Sequence, residues 1–324
     1  MSRNKDLRRR PPGEGRLEPV PVTRDTSSAE VIRRLQLTIT RRLDGMLQGE
    51  YEGLVPGHGW DLGETRPYEP GDDVRRIDWN VSARTHETHV RDTIADRELE
   101  TWLLADLSPS LDFGTADCEK RDLAVAGAAA VGFLTARTGN RLGALVLGPD
   151  GVGTMPARNG RNHLQAVLHR MIQSPRGDAG GRTDLAGAIA RLDRIARRRG
   201  LTVVISDFIS PDGWEQPFKR LSLRHEVLAI EVVDPRELEL PDVGVLDLVD
   251  PETGERREIQ TSNRRFRERY AEAAAAQRER ITRAIRSSGA DHLVLRTDRD
   301  WLLDLVRFVS LRRRRYERRP RTNA

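Results

Sequence analysis

Two spacings of apolar residues alternate along the later two-thirds of this chain. Short unbroken apolar runs, the pattern of strands buried on both faces, are separated by longer stretches with helical spacing. "LETWLLADL" predicts a buried strand ending at Asp106, and "KRDLAVAGAAAVGFLTAR" a helix whose Ala and Gly allow close packing on a sheet. "NRLGALVLG" and "GVGTMPA" flank Pro149–Asp150–Gly151, which predicts a hairpin. Residues 159–174 and 184–198 have helical spacing. "LTVVISDF" is a buried strand whose apolar run stops at Asp207, "WEQPFKRLSLR" fits a helix, and "HEVLAIEVVD" another strand. A second hairpin is predicted in "LDLVD–PETG–ERREIQ", a long helix over 262–288, a strand in "DHLVLRT" and a last helix in "RDWLLDLVRFVSLRRRRY". Strands alternating with helices of this length imply an α/β fold, with a mostly parallel sheet covered on both faces. The first hairpin adds one antiparallel strand.

The earlier third is different. Val31, Ile32, Leu35, Ile39, Leu43 and Leu47 form one helical stripe over residues 28–47, with Ser27 or Ser28 as cap. Residues 49–96 are rich in Gly, Pro and charge, with short extended pieces such as "THVRDTIAD", and predict an irregular strand-containing subdomain. The expected organisation is a disordered basic tail at 1–27, a helix with an irregular element at 28–96, an α/β domain at 97–311 and a basic tail at 312–324.

Charge changes this picture only at the ends. Residues 1–16 hold six Lys/Arg against two acids, and residues 312–324 seven Arg against one. The overall charge of +5 therefore belongs to the tails, which read first as solvated arms. No apolar stretch approaches the ~20 residues needed to cross a bilayer, and no apolar segment follows the basic start to make a signal peptide. Cys118 is the single cysteine, which excludes an internal disulfide framework and a cysteine-based zinc cluster. A cytoplasmic protein is expected.

Three segments carry candidate chemistry. The first buried strand ends in Asp106-Leu107-Ser108-Pro109-Ser110, a D-x-S-x-S pattern. Thr183 precedes a predicted helix in "GGRTDLAGAI", and Asp207 ends "VVISD". A hard cation such as Mg²⁺ takes oxygen ligands and keeps several waters. Serine and threonine hydroxyls are neutral oxygen donors, and the two aspartates can ligate directly or hold the ion's waters. With much of the inner shell neutral, the ion keeps a positive charge that attracts a carboxylate from another molecule. Ligands of open α/β sheets lie outside the carboxyl ends of strands where strand order reverses, and Asp106 and Asp207 both lie at such ends. Taken singly, each residue also fits a cap or turn role.

D-x-S-x-S, then Thr, then Asp, resembles the metal-ion-dependent adhesion site of von Willebrand factor A domains. The resemblance implies Asp106, Ser108, Ser110, Thr183 and Asp207 as metal residues and Mg²⁺ or Mn²⁺ as the ion. "RPYEPGDDVRRIDWNVSART", Arg66 to Thr85, is similar to the hallmark of the domain of unknown function 58 family, whose members pair it with a von Willebrand factor A-like domain. That resemblance implies an adaptor or co-chaperone of a MoxR-type AAA+ ATPase, binding an acidic side chain of this partner or of its client. Many relatives carry a membrane hairpin, for which this sequence has no candidate. Within the hallmark, Asp72, Asp73 and Asp78 alternate with Arg66, Arg75, Arg76 and Arg84, which suggests a salt-bridge network with Trp79 as its buried anchor.

Rival functions find less support. A serine hydrolase would need a G-x-S-x-G elbow, which is missing, and none of the seven histidines sits in a base motif. An aspartyl-phosphate enzyme would need an acid where Ser108 stands. His86 and His89 in "HETH" form only a two-histidine fragment. The Arg-rich tails could meet nucleic acid, but no motif with stacking aromatics accompanies them. The alternatives kept are a metal-independent scaffold and a nucleic-acid-associated protein; catalysis is not expected.

Overall fold

The apolar runs pair as the sequence predicts. In the computed structural model, which describes residues 27–47, 65–70, 72, 74, 77–91, 100–176, 184–210, 213–249 and 255–317, six strands form the main sheet. The chain contributes α1 (Ser28–Leu47), β1 (Thr65–Pro67), α2 (Trp79–Thr85) and β2 (His89–Arg91) before the sheet begins. Then come β3 (Glu100–Asp106), α3 (Lys120–Arg137), β4 (Arg141–Gly148), β5 (Gly151–Arg158), α4 (Arg161–Ile172) and α5 (Leu185–Ile195). The remainder is β6 (Leu201–Ser206), α6 (Glu215–Arg224), β7 (Glu226–Val233), β8 (Val245–Val249), β9 (Arg256–Gln260), α7 (Arg264–Ser287), β10 (Asp291–Arg296) and α8 (Trp301–Glu317).

The strand order is β10-β7-β6-β3-β4-β5. Every pairing is parallel except β4 with β5, the predicted hairpin at the edge. This is the mostly parallel, helix-covered sheet expected of a von Willebrand factor A-like domain. The second hairpin, β8 with β9, forms a separate two-stranded sheet. Its predicted turn lies outside the described residues.

Side chains of successive strand residues point to opposite faces, so each central strand feeds two cores. Leu103 and Ala105 of β3, Val203 and Ile205 of β6, and Leu228, Ile230 and Val232 of β7 pack under α1, α3, α4 and α8. Trp102 and Leu104, Val204, and Val227 and Ala229 pack under α5, α6 and α7. The Ala- and Gly-rich sequence of α3 is explained by its place: 16 of its 18 residues are buried. A Cβ at Gly132 would collide with the Leu164 side chain of α4.

Three expectations change. First, α1 is not part of a separate N-terminal unit. Val31, Ile32, Leu35 and Ile39 are buried in the same core as β3, α3 and α8, because one apolar stripe on an otherwise polar helix must find a partner surface. The side chains of Leu43 and Leu47 lie outside the described residues. Second, Trp79 is not a buried anchor. It is 72% exposed, at the first position of α2. The order in that segment comes from polar groups instead. Asp78 caps α2 by accepting from the backbone N–H of Asn80 and Val81, and Arg66 grips Asp72 with two hydrogen bonds of 2.7 Å. Asp73, Arg75 and Arg76 lie outside the described residues. Third, the basic C-terminal segment does not begin as a tail at residue 312. Helix α8 runs on to Glu317, and Arg312 is 3% exposed, pairing with Glu226 and Asp291 at the base of the sheet. The predicted tail at 1–27 falls, except for Ser27, outside the described residues, as do residues 318–324.

Candidate metal-binding site

Strands β3 and β6 are parallel neighbours at the middle of the sheet. The helix after β3, α3, covers one face, and the helix after β6, α6, covers the other. The loops leaving the two strand tips therefore part to opposite faces, the switch point at which open α/β sheets bind ligands. Asp106 is the last residue of β3, and Asp207 directly follows β6. Both are almost fully buried.

The loop after β3 is folded by its own sequence. Asp106 Oδ1 accepts from the backbone N–H of Ser108 at 3.0 Å, an Asx turn, and Pro109 then starts a short 3₁₀ turn through Leu111. This turn brings the Ser108 and Ser110 hydroxyl oxygens to 3.1 Å from each other. Arg121 secures the loop from α3, donating to the Leu107 carbonyl at 2.9 Å and pairing with Asp112. From the neighbouring strand, Ser206 donates its hydroxyl to Asp106 Oδ2 at 2.7 Å.

The loop after β6 holds the second aspartate. Asp207 Oδ1 accepts from Ile209 N–H at 3.0 Å. The residue between, Phe208, has φ = 56°, a left-handed backbone that is costly for an aromatic residue. Its ring is clamped by Trp214 at 5.0 Å and Phe218 at 6.1 Å between centroids. Burial of that ring offsets the strain and fixes the direction in which Asp207 points.

Asp106, Ser108, Ser110 and Asp207 thus lie at and just beyond the tips of two neighbouring strands. Thr183, the fifth predicted residue, lies outside the described residues; the next residue, Asp184, caps α5 by accepting from Gly187 N–H at 2.7 Å. The "HETH" fragment has another role. His86 ends α2 with a left-handed backbone, φ = 60°, and His89 Nδ1 lies 2.8 Å from the Glu87 carbonyl. Among the described residues no three or more His, Cys, Asp or Glu side chains form a metal cluster by themselves. The donor set at the strand tips differs in kind, because two of its four members are hydroxyls.

Two residues that the sequence did not single out complete the electrostatics. Lys120 opens α3 and is 1% exposed. Its Nζ lies 2.8 Å from Asp207 Oδ2 and also pairs with Glu237. Glu237 in turn accepts from Asp234 N–H at 3.1 Å and from Arg278 of α7 at 3.3 Å. Arg278 also pairs with Glu231 of β7, and His292 Nε2 of β10 lies 2.7 Å from the other Glu231 oxygen. Lysine at the first position of a helix opposes the helix dipole, which was the one available sign that Lys120 is not an ordinary surface lysine.

The two aspartates consequently differ. Burial, reinforced by the charge of Asp207, pushes the Asp106 carboxyl up to about 6, despite the hydrogen bonds from Ser206 and Ser108. Burial also opposes ionisation of Asp207, but the Lys120 ammonium outweighs it and holds that carboxyl below its ordinary value. Among the described residues, no salt bridge joins Asp106 to a cation. Its charge is met by a hydroxyl and an amide alone. An uncompensated buried carboxylate beside two convergent hydroxyls is a donor set that suits a hard, oxygen-seeking cation.

Residues 64–280 match the family described as "Protein of unknown function DUF58", and this chain belongs to that family. An uncharacterized protein of Mycobacterium tuberculosis is 55% identical over 290 residues, which cover 90% of this chain and 91% of the relative. Among solved structures, an aerotolerance-related membrane protein from Bacteroides fragilis is similar over 67% of this chain and 99% of its own, with a TM-score of 0.43 and 14% identity. The SpRpn10 VWA domain is similar over 65% of this chain and 94% of its own, with a TM-score of 0.36 and 14% identity.

Proposed function

We propose that this chain is a non-catalytic, metal-dependent protein-interaction module. Asp106, Ser108, Ser110 and Asp207, with Thr183, would hold Mg²⁺ or Mn²⁺ at the β3 and β6 tips. The ion would supply a positive centre with neutral hydroxyl neighbours, to which a partner adds an Asp or Glu carboxylate. The observation that carries this reading is the convergence of two serine hydroxyls with a buried aspartate that has no cationic partner among the described residues. The partner proposed is a MoxR-type AAA+ ATPase or its client, which rests on the family resemblance alone. No helix of the described residues is long and apolar enough to cross a membrane.

The test is recovery of such an ATPase on the immobilised chain. Wild type in Mg²⁺ is expected to retain it, while wild type in EDTA and Ser108→Ala in Mg²⁺ are not. Equal recovery in all three would favour a second reading, a metal-independent scaffold. The observation behind that reading is Lys120, which already neutralises part of the site's negative charge.

A further inference from the structure

We infer that Lys120 is a tethered counter-cation that competes with the divalent ion for Asp207 and is received by Glu237 when the ion binds. The inference rests on the metal reading above and concerns how that site is regulated.

Lys120 is placed for this role and has little freedom for another. At 1% exposure its ammonium cannot retreat to solvent, so it must sit on a carboxylate in every state of the folded protein. Two are within reach, Asp207 Oδ2 at 2.8 Å and Glu237. They differ in their ties. Asp207 directly follows β6, the neighbour of the strand whose loop carries the two serines. Glu237 lies in the segment after β7 and is fixed by Asp234 N–H and Arg278. A divalent ion at Asp207 would repel the ammonium, and Glu237 is the partner that remains. The helix dipole disfavours lysine at the start of α3, and the two carboxylates offset that cost.

The arrangement has two consequences. Without metal, Lys120 bridges the β6 tip to the segment after β7. With metal, the ion must displace a resident positive charge, which lowers the affinity of the site and favours divalent over monovalent ions.

Titration of the full chain with Mg²⁺ by calorimetry tests this with two variants whose expected effects are opposite. Lys120→Met removes the competitor and is expected to bind Mg²⁺ tighter by about tenfold or more. Its metal-free form melts lower, because Asp207 loses its cation and Glu237 keeps only Arg278, and Mg²⁺ raises its melting temperature more than that of wild type. Glu237→Gln leaves Lys120 on Asp207 alone and is expected to bind Mg²⁺ more weakly, by roughly threefold. This variant keeps the Lys120–Asp207 pair and reports on the inference even if Lys120→Met fails to fold. Wild-type binding with unchanged or oppositely shifted affinity in the variants overturns the competitor role and leaves the metal site standing. No Mg²⁺ binding by wild type or either variant overturns the metal reading and this inference together.

Discussion

Ser206 of β6 donates its hydroxyl to Asp106 of β3 at 2.7 Å, tying the tips of the two central strands together through one carboxylate oxygen. The other oxygen of Asp106 holds the Ser108 turn. One aspartate thus organises the loop that carries both serines, at the cost of keeping a negative charge out of water.

That cost gives a pH dependence. The folded-state value of Asp106, about 6, lies above its ordinary value of 3.8. The folded protein therefore holds more protons than the unfolded chain between these values. The stability from protonated Asp106 is complete below about pH 4 and is lost as pH rises through 6. The loss by pH 8 amounts to about 3 kcal/mol. In EDTA, the urea midpoint of Asp106→Asn is expected to exceed that of wild type at pH 8. The difference should shrink at pH 4.5. A wild-type advantage at pH 8 would count against an uncompensated charge at this position.

Ser108 separates ligation from stability. Its hydroxyl has Ser110 as its hydrogen-bond partner. Ser108→Ala is expected to alter metal-free stability by less than about 1 kcal/mol. The rise in melting temperature produced by Mg²⁺ should nevertheless disappear. Thermal unfolding with and without Mg²⁺ reads both effects.

Helix α1 is part of the main core, so it should unfold with it. Leu35 is 1% exposed, packed in the cluster that includes α3 and α8. Leu35→Ala is expected to cost about 2–5 kcal/mol and to lower the midpoint of one cooperative transition. A small cost, or a separate early transition, would restore the idea of an independent N-terminal unit.

Trp79 supplies the contrary case. At 72% exposure it contributes little packing. Trp79→Ala should stay within about 0.5 kcal/mol of wild type in chemical denaturation. A loss of several kcal/mol would show that the residue is covered in solution.

The sheet and its order of elements were legible because parallel strands buried on both faces leave continuous apolar runs. "LETWLLAD" and "LTVVIS" could hardly be anything else in that context. Asp106 and Asp207 were legible as strand ends because each lies where such a run stops. Lys120 and Glu237 were not. Their pairing spans 117 positions, and apart from its place at a helix start nothing local separates a lysine buried on two carboxylates from one in water. Trp79 misled for a related reason. A large aromatic residue among charges suggests an anchor, but Asp78 capping α2 and Arg66 gripping Asp72 order the described part of that segment without burying the ring. The C-terminal boundary shifted because Arg312, one of four consecutive arginines, finds Glu226 and Asp291 only in the folded chain.

The most direct test of the metal site is equilibrium dialysis of the full chain against Mn²⁺, read by electron paramagnetic resonance, for wild type and Ser110→Ala. The account predicts one bound ion per wild-type chain, displaced by excess Mg²⁺, and a large loss of binding in the variant. Retention of the ion by Ser110→Ala with wild-type affinity, or no binding by wild type, would contradict it.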